Sequence, residues 1–243
     1  MCYDISLTKE EKAIEERFKV AADYSMSVYQ PFYHRSAFDK DFIYIIKSEE
    51  PYNFFPAYWG LMPESEPIHL RNEFLKKYMT FNARAEDLSE SKLYSKSLQY
   101  QRCLIIADGF FEPHSFNGKN YPHYIKYKNN GLFAFAGIYT ELDDGLYTAT
   151  LITTLANDYF KQIHNKKNNK GQYRMPLVLD ENDEADWLDA NLSFQEVNEL
   201  LFTFTHHEFE SYPVTQDVMN RRKETNTKVA ITKKYYPELE TLF

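Results

Sequence analysis

The chain has 243 residues, a formal net charge of −8, and 20 Tyr and 19 Phe against 7 Gly. This length and composition are typical of a globular protein with a sizeable core and exclude a disordered chain. The acidic balance argues against broad, nonspecific nucleic-acid binding, which usually needs a basic domain.

Two cysteines, Cys2 and Cys103, imply no disulfide framework and indicate a reducing compartment. Cys103 lies in an apolar run and is expected to be a buried core residue. The first thirty residues mix Lys, Glu and Asp, unlike a signal peptide, and no apolar stretch approaches the ~20 residues that span a bilayer. We therefore expect a cytoplasmic protein with no membrane partner.

The first predicted element is an amphipathic helix. Residues 8–11 have the Thr-x-x-Glu pattern of a capping box, which predicts a helix from Lys9 to about Ala22. Ile14, Phe18 and Ala21 would then lie on one face.

Further along the chain, strands and short helices are predicted in irregular order. Prolines at 51, 56 and 63 punctuate the region after the first strand. Residues 121–127 and 132–139 are predicted to pair as strands of a hairpin with its turn at 128–131. The other predicted elements are strands at 42–46, 102–107, 147–154 and 177–179, helices at 72–79, 157–163 and 193–202, a turn at 108–109, and an acidic linker that leads to Trp187.

This order lacks the strand–helix alternation of a doubly wound parallel sheet. It favours an α+β fold with mainly antiparallel sheets. No internal repeat, low-complexity tract or interdomain linker is present, so we expect a single domain over residues 1–243.

Cys2 becomes the N-terminal residue if Met1 is removed. It would then carry an α-amine and a thiol on adjacent carbons, with pKa values near ~8 and ~8.5, so both are partly unprotonated at neutral pH. An aldehyde meeting this pair forms a Schiff base with the amine, which the thiol attacks to close a five-membered thiazolidine. A cysteine at position two is by itself more often incidental than a nucleophile.

Positive charge is concentrated in two clusters. One lies between residues 159 and 178, where no acid occurs, and the other is Arg221-Arg222-Lys223. Each cluster alone is typical of a solvated loop, whereas two together could form a focused anion site. The members of the first cluster are Lys161, Lys166, Lys167, Lys170 and Arg174.

A series of short motifs covers nearly the whole chain. They are Met1-Cys2; Trp-Gly-Leu-Met-Pro at 59–63; Asn-Ala-Arg-Ala-Glu at 82–86; the segment 102–112, which ends Asp-Gly-Phe-Phe-Glu; Phe-Ala-Gly at 135–137; Ile-Thr-Thr at 152–154; Ile163-His164 with Arg-Met-Pro at 174–176; and Pro-Val-Thr at 213–215. The ordered set, far more specific than any single motif, resembles the SRAP family, the SOS-response-associated peptidase proteins.

The resemblance implies an open, barrel-like core with flanking helices and a partner, single-stranded DNA that carries an abasic site. It also implies that Cys2 crosslinks to the ring-opened sugar aldehyde, a lyase-like reaction, and that the thiazolidine shields the lesion from strand cleavage. The family name records an inferred self-cleaving peptidase activity, a hydrolase reaction that exposes the cysteine. We expect no cofactor, no metal ion, and association with the nucleoid when DNA is bound.

Three further residues match the family's catalytic positions. Glu112 follows the turn beside two phenylalanines, where burial could raise its carboxyl pKa and suit it to acid–base work during sugar ring opening. Asn82 could hold the α-amine or a sugar hydroxyl, and His164 could transfer protons at the imine and sugar oxygens. Without the motifs, the three would be a surface glutamate, a turn asparagine and a histidine at a helix C-terminus.

Arginines of the same motifs are the predicted DNA contacts. Arg84 and Arg174 match positions that the family uses near phosphates, although both could equally form structural ion pairs. Lys166, Lys167 and Lys170 are predicted accessory contacts.

The chain departs from the family pattern in three places. Family members commonly begin Cys-Gly-Arg, and here Asp4 stands where the arginine would, so that it would repel a phosphate. No tryptophan occurs between residues 63 and 82 to stack on a base. The interval between His164 and Arg174 is lengthened by an insertion rich in Lys and Asn, which could supply positive charge or displace His164.

Two other functions are compatible with the same residues. One is an N-terminal-nucleophile peptidase or amidase in which Cys2 acts with Glu112 and His164 on a peptide. The other is a noncovalent reader of modified or single-stranded DNA. The sequence does not determine the oligomeric state, and a monomer is our working expectation.

Overall fold

The computed structural model of the protein describes residues 2–24, 28–39 and 41–242. Its strands are β1 (Asp4–Leu7), β2 (Ala21–Ala22), β3 (Phe32–Ser36), β4 (Phe42–Lys47), β5 (Glu50–Trp59), β6 (Asn82–Arg84), β7 (Arg102–Ala107), β8 (Gly109–Phe116), β9 (Lys119–Tyr127), β10 (Phe133–Glu141), β11 (Tyr147–Leu155), β12 (Arg174–Pro176) and β13 (Phe209–Pro213). The α-helices are α1 (Glu11–Phe18), α2 (Arg71–Tyr78), α3 (Ser95–Tyr100), α4 (Asp158–Ile163), α5 (Glu181–Leu188) and α6 (Phe194–Leu200). Short 3-10 helices occur at Ile68–Leu70, Ala85–Asp87, Gln216–Met219, Lys228–Ile231 and Pro237–Leu242.

The strands form two sheets. The smaller sheet has the order β13-β9-β8-β1-β3, and all its neighbours are antiparallel. The larger sheet has the order β12-β11-β10-β7-β4-β5-β2, with β6 added beside β11. Its parallel contacts are the short pairings β11–β6, β11–β5 and β2–β5. The prediction of an α+β fold with mainly antiparallel sheets is confirmed.

Aromatic side chains fill much of the core. Phe110 on β8 packs against Phe135 and Phe160 at ring-centroid distances of 5.6 and 5.9 Å, which joins the smaller sheet, the larger sheet and α4. The predicted burial of Cys103 is confirmed, since its side chain is fully buried on β7. The indole of Trp187 on α5 donates to the Cys103 carbonyl at 3.0 Å, which fixes the helix on the sheet.

The first helix is shorter than predicted. α1 begins at Glu11 and ends at Phe18, because Lys19 adopts a left-handed conformation, and residues 21–22 form β2 instead. Thr8 does not cap the helix. Its backbone N–H and hydroxyl both donate to the carboxylate of Asp108, a contact between residues far apart in sequence.

The predicted hairpin at 128–131 is wrong. β9 and β10 belong to different sheets, and β9 pairs with β8 through the turn at Asn117 and Gly118, both of which have positive φ. β10 pairs with β7 and β11. The chain therefore passes from one sheet to the other where the sequence indicated a turn within one sheet.

Other boundaries differ because tertiary packing overrides local pattern. Pro51 and Pro56 lie inside β5 and do not interrupt it. The strand predicted at 177–179 lies at 174–176, and Val178 makes only an isolated bridge to Phe135. The predicted acidic linker is α5, whose N-cap is Asp180. Elements predicted close to their positions are β4, α2, β7, β11, α4 and α6, the last with the predicted capping box at Ser193.

Gly109, where β8 begins, has no room for a side chain. A Cβ atom here would lie 2.2 Å from the Tyr124 hydroxyl, which also lies 2.9 Å from Ser6 Oγ. We expect Gly109→Ala to lower the free energy of unfolding by roughly 2–3 kcal/mol, because overpacking a filled core forces neighbours to shift. Chemical denaturation checks this. Gly145→Ala is the comparison for backbone strain without overpacking, because Gly145 has a φ of +78°, where alanine costs about 1 kcal/mol, but its Cβ meets no described atom within 4 Å. Equal losses in both variants would contradict the packing explanation.

Candidate active site

The N-terminal strand is held beside β8. Ile5 pairs with Phe110 and Ser6 with Gly109, and the same register extended toward the N-terminus places Tyr3 across from Glu112. Ser6 Oγ donates to Asp108 Oδ1 at 2.7 Å, and Thr8 N donates to Asp108 Oδ2 at 2.7 Å. These bonds fix the position of Cys2 relative to Glu112.

Cys2 is fully buried just before β1. Its thiol contacts the Asp4 carbonyl at 3.7 Å. Burial, together with the nearby carboxylates of Glu112 and Asp4, raises the pKa of the thiol well above its usual value, so that the sulfur is protonated at neutral pH. Reaction of this sulfur would need a base within reach and a path that exposes it. Met1 lies outside the described residues.

Asn82 holds the Cys2 backbone. Its amide Nδ2 donates to the Cys2 carbonyl at 2.9 Å. The Oδ1 atom of the same amide is buried and has no hydrogen-bond partner among the described residues. Asn82 therefore positions Cys2 through one atom and leaves an acceptor beside it that an ammonium or hydroxyl group could fill.

Glu112 and His164 form a pair. His164 Nδ1 lies 2.7 Å from Glu112 Oε2, and the Glu112 side chain is only 1% exposed. His164 is also the residue that ends α4, where its N–H donates to the Phe160 carbonyl. The insertion after His164 has thus not displaced it from Glu112, and the helix-terminal position supports the pairing.

The prediction that the pKa of Glu112 is raised is wrong, because the pKa is lowered. Burial does raise it, but nearby positive charge and the hydrogen bond with His164 outweigh burial and lower the pKa of Glu112 below its ordinary value. The carboxylate is therefore ionised at neutral pH, and it is a weaker base than an ordinary glutamate.

A pocket of about 320 Å³ opens beside this pair. Both basic clusters reach it, since Lys166 and Lys167 of one cluster and Arg221 of the other line it, as the hypothesis of a focused anion site requires. Tyr3 and Asp4 line the pocket, whereas Cys2, which precedes them in the chain, does not. The lining residues are Tyr3, Asp4, Phe111, Glu112, Pro113, Pro122, His164, Lys166, Lys167, Asn168, Arg174, Val218, Met219 and Arg221.

The two predicted phosphate-binding arginines are engaged within the protein. Arg174 is 2% exposed, and its guanidinium donates to both Glu86 oxygens at 2.5 and 3.0 Å and to the Thr153 carbonyl at 2.6 Å. Arg84 donates to Gln172 at 2.8 Å and lies 3.4 Å from Asp87. These contacts are the structural ion pairs that were the alternative interpretation for both residues. Phosphate binding by Arg84 and Arg174 stays a prediction.

The three predicted accessory lysines lie on the insertion after α4. Lys166 donates to Asn120 at 3.0 Å, Lys167 lies 5.4 Å from the centre of the Tyr173 ring, and Lys170 pairs with Asp87 at 3.3 Å. Lys166 and Lys167 line the pocket and Lys170 does not. Their predicted role as DNA contacts is untested for all three.

The structure adds residues that the sequence did not single out as site residues. Arg221 belongs to a basic cluster that the sequence indicated, but nothing in the sequence predicted that it would lie beside Asp4. Tyr3 and Met219 add apolar surface to the same pocket.

Two features are absent from the described part of the chain. No three His, Cys, Asp or Glu side chains in residues 2–24, 28–39 and 41–242 lie together as metal ligands would. None of the helices within those same ranges combines the length and apolar character needed to cross a bilayer.

Comparison with known proteins relates most of the chain to one family. A family model described as SOS response associated peptidase (SRAP) matches residues 1–221. The chain is 31% identical over 224 residues to the abasic site processing protein YoaM of Bacillus subtilis (strain 168), covering 88% of this chain and 91% of the relative. It is 33% identical to the abasic site processing protein YoqW of the same organism, with 88% and 92% coverage.

A solved structure has a similar fold. A crystal structure of a protein from Bacteroides thetaiotaomicron superposes with a TM-score of 0.82 at 26% identity, covering 96% of this chain and all of the other. The predicted open sheets with flanking helices are confirmed. The prediction that the domain spans all of residues 1–243 stays a prediction.

Proposed function

Because this chain belongs to the SOS response associated peptidase (SRAP) family, we propose that it processes abasic sites in DNA. Its substrate is single-stranded DNA that carries an abasic site, and its product is a covalent complex formed through Cys2. The similar proteins YoaM and YoqW are named abasic site processing proteins, which supports this substrate class.

One observation carries the proposal. Four residues from separate parts of the chain meet at one place. Asn82 binds the Cys2 carbonyl at 2.9 Å, and Glu112 pairs with His164 at 2.7 Å. The Glu112 carboxylate is close enough to raise the pKa of the Cys2 thiol. A nucleophile, an orienting amide and a proton-transfer pair are the parts that imine formation and thiol addition need. The adjoining pocket carries Lys166 and Lys167 for the phosphates.

The reaction begins at the sugar. The closed hemiacetal opens to an aldehyde as a proton leaves the anomeric hydroxyl and another reaches the ring oxygen, and the Glu112–His164 pair can carry both. The Cys2 α-amine adds to the aldehyde carbon, and loss of water gives an imine. Asn82 Oδ1 is the acceptor available to orient this amine.

Ring closure then uses the thiol. Ionised Glu112 accepts the thiol proton, the sulfur attacks the imine carbon, and a proton passes to the nitrogen, which leaves a thiazolidine. The overall change is the loss of one water from protein plus aldehyde.

Since the amine must be free, we also propose that Met1 is removed, by an aminopeptidase or by self-cleavage at this site.

Intact mass spectrometry tests the proposal. Purified protein is incubated with a single-stranded oligonucleotide that carries one abasic site, and with the same oligonucleotide carrying an intact base. We expect a species of protein lacking Met1 plus oligonucleotide minus one water, and only with the abasic strand. Retention of Met1 in all of the protein purified from its native cell would exclude the covalent mechanism, and turnover of a peptide without any DNA adduct would favour the peptidase function.

A further inference from the structure

Asp4 places a carboxylate next to the proposed nucleophile. It is the second residue after Cys2, its side chain is only 15% exposed, and it lines the pocket that is to receive DNA. An unpaired anion here would repel a phosphodiester.

Two partners bind this carboxylate, and Arg221 neutralises its charge. Arg221 donates from Nη1 to Asp4 Oδ1 at 2.6 Å and from Nη2 to Asp4 Oδ2 at 3.2 Å, a bidentate pair. His34 Nε2 lies 3.2 Å from Asp4 Oδ1, the oxygen that Arg221 Nη1 also contacts. Burial opposes ionisation of Asp4, yet hydrogen bonds from His34 and Arg221 hold its pKa below its usual range.

Arg221 is held in one orientation. Its Nη1 also donates to Ser36 Oγ, and its guanidinium carbon lies 4.7 Å from the centre of the Phe38 ring. The contacts to Asp4 and Ser36 use three of its N–H donors, whereas a guanidinium has five, so donors remain for an anion. The side chain is 40% exposed and lines the pocket.

The segment after Arg221 is fixed to the same strand as Ser36. Thr225 Oγ1 lies 2.7 Å from His34 Nδ1, and Asn226 Oδ1 accepts from Tyr33 N at 2.8 Å. His34 therefore links Asp4 with Thr225, so the C-terminal segment and the N-terminal strand are joined through one partly buried network. Arg221 lines the same pocket as Lys166 and Lys167, so that cations from two segments of the chain face one cavity.

We propose that Arg221, positioned by Asp4, binds a phosphate that flanks the abasic sugar. The proposal rests on the proposed function, because the anion is the DNA strand beside Cys2. Asp4 is a positioning residue, since it acts through Arg221. Alone, the Asp4 carboxylate would repel a phosphate, but paired with Arg221 it holds a cation in the pocket.

Binding measured without covalent chemistry tests this role. Fluorescence anisotropy is used with a single strand that carries a tetrahydrofuran abasic analogue, which has no aldehyde, over a series of NaCl concentrations. Asp4→Asn keeps an acceptor for Arg221 and is compared with the double variant Asp4→Asn/Arg221→Gln, in which no buried charge is left unpaired. Arg222→Gln is the matched control, since Arg222 is the next residue, is exposed and does not line the pocket.

We expect the double variant to bind about fivefold more weakly than Asp4→Asn near 0.1 M salt, with a salt slope reduced by about 0.7, since one phosphate contact is lost. Arg222→Gln should retain the wild-type slope, and Arg221→Lys should retain its charge and hence most of the slope. Equal slopes for Asp4→Asn and the double variant would overturn the proposal, as would an equal loss in Arg222→Gln.

A second measurement separates this proposal from the proposed function. Wild-type protein is incubated with a natural abasic strand and analysed on a denaturing gel. If no adduct forms while the double variant still loses slope, the covalent function fails and the phosphate contact stands. If adduct forms but the slopes are equal, the assignment of Arg221 alone fails.

Discussion

Replacing Cys2 with serine is expected to abolish the stable adduct with an abasic strand. Serine keeps the α-amine, so the reversible imine can still form, but its hydroxyl is a far weaker nucleophile than a thiol and closes no stable ring. A denaturing gel should therefore show adduct with the wild type and none with Cys2→Ser. Addition of borohydride, which reduces an imine to an amine, should recover a crosslink in the variant.

Cys103 supplies the matched control for this experiment. It is the chain's other cysteine and lies fully buried on β7, against the indole of Trp187. We expect Cys103→Ala to form adduct at the wild-type rate, with a modest loss of stability because a small core volume is vacated. Adduct formed by Cys2→Ser without borohydride, or lost in Cys103→Ala that remains folded, would place the nucleophile elsewhere.

Local sequence pattern predicted those elements whose causes are local. The apolar run of β4 and the capping box at Ser193 require only neighbours along the chain, and both lie where expected. Thr8 has an equally good capping pattern, yet it bonds to Asp108, a hundred residues away. The periodicity of a segment does not reveal such a competing partner, and α1 therefore begins and ends elsewhere.

Strand pairing was the least predictable part of the fold. Residues 128–131 have a composition typical of a hairpin turn, but the strands that flank them belong to different sheets. Alternation of apolar residues indicates that a strand is buried on one face and does not indicate its neighbour. The helix α5 is missed for a different reason: four of its eight residues are acidic, so its composition indicates a linker, whereas Trp187 packs into the core.

The ordered motifs singled out Cys2, Asn82, Glu112 and His164, and these residues do meet. The electrostatic environment was harder to predict, because the pKa of Glu112 depends on neighbours as well as burial. Arg221 was missed as a site residue because its partner, Asp4, lies 217 residues earlier in the chain. Such contacts are visible only once the fold is known.

Replacing Glu112 with glutamine is expected to slow adduct formation on a natural abasic strand by roughly 10²–10⁴-fold, the typical contribution of a positioned acid or base. The amide is nearly the same shape, so Asn82 and His164 can keep their positions while the proton acceptor is lost. The pKa of Glu112 lies below that of an ordinary glutamate. As the pH falls, the wild-type carboxylate therefore stays ionised at pH values where an ordinary glutamate is already protonated. The rate advantage of wild type over Glu112→Gln should therefore persist through mildly acidic pH and disappear only in stronger acid. Single-turnover gels across pH measure both effects.

Two controls show whether the effect belongs to Glu112 at this site. Glu184 is also a buried carboxylate, paired with Arg17 at 2.9 Å and located outside the pocket, so Glu184→Gln should lower stability without slowing adduct formation. An oligonucleotide that carries an open-chain aldehyde needs no ring opening, so the deficit of Glu112→Gln should shrink on it to the share that comes from deprotonating the thiol. Wild-type kinetics for Glu112→Gln on the natural site would make Glu112 a structural partner of His164 and assign the proton transfers to another group.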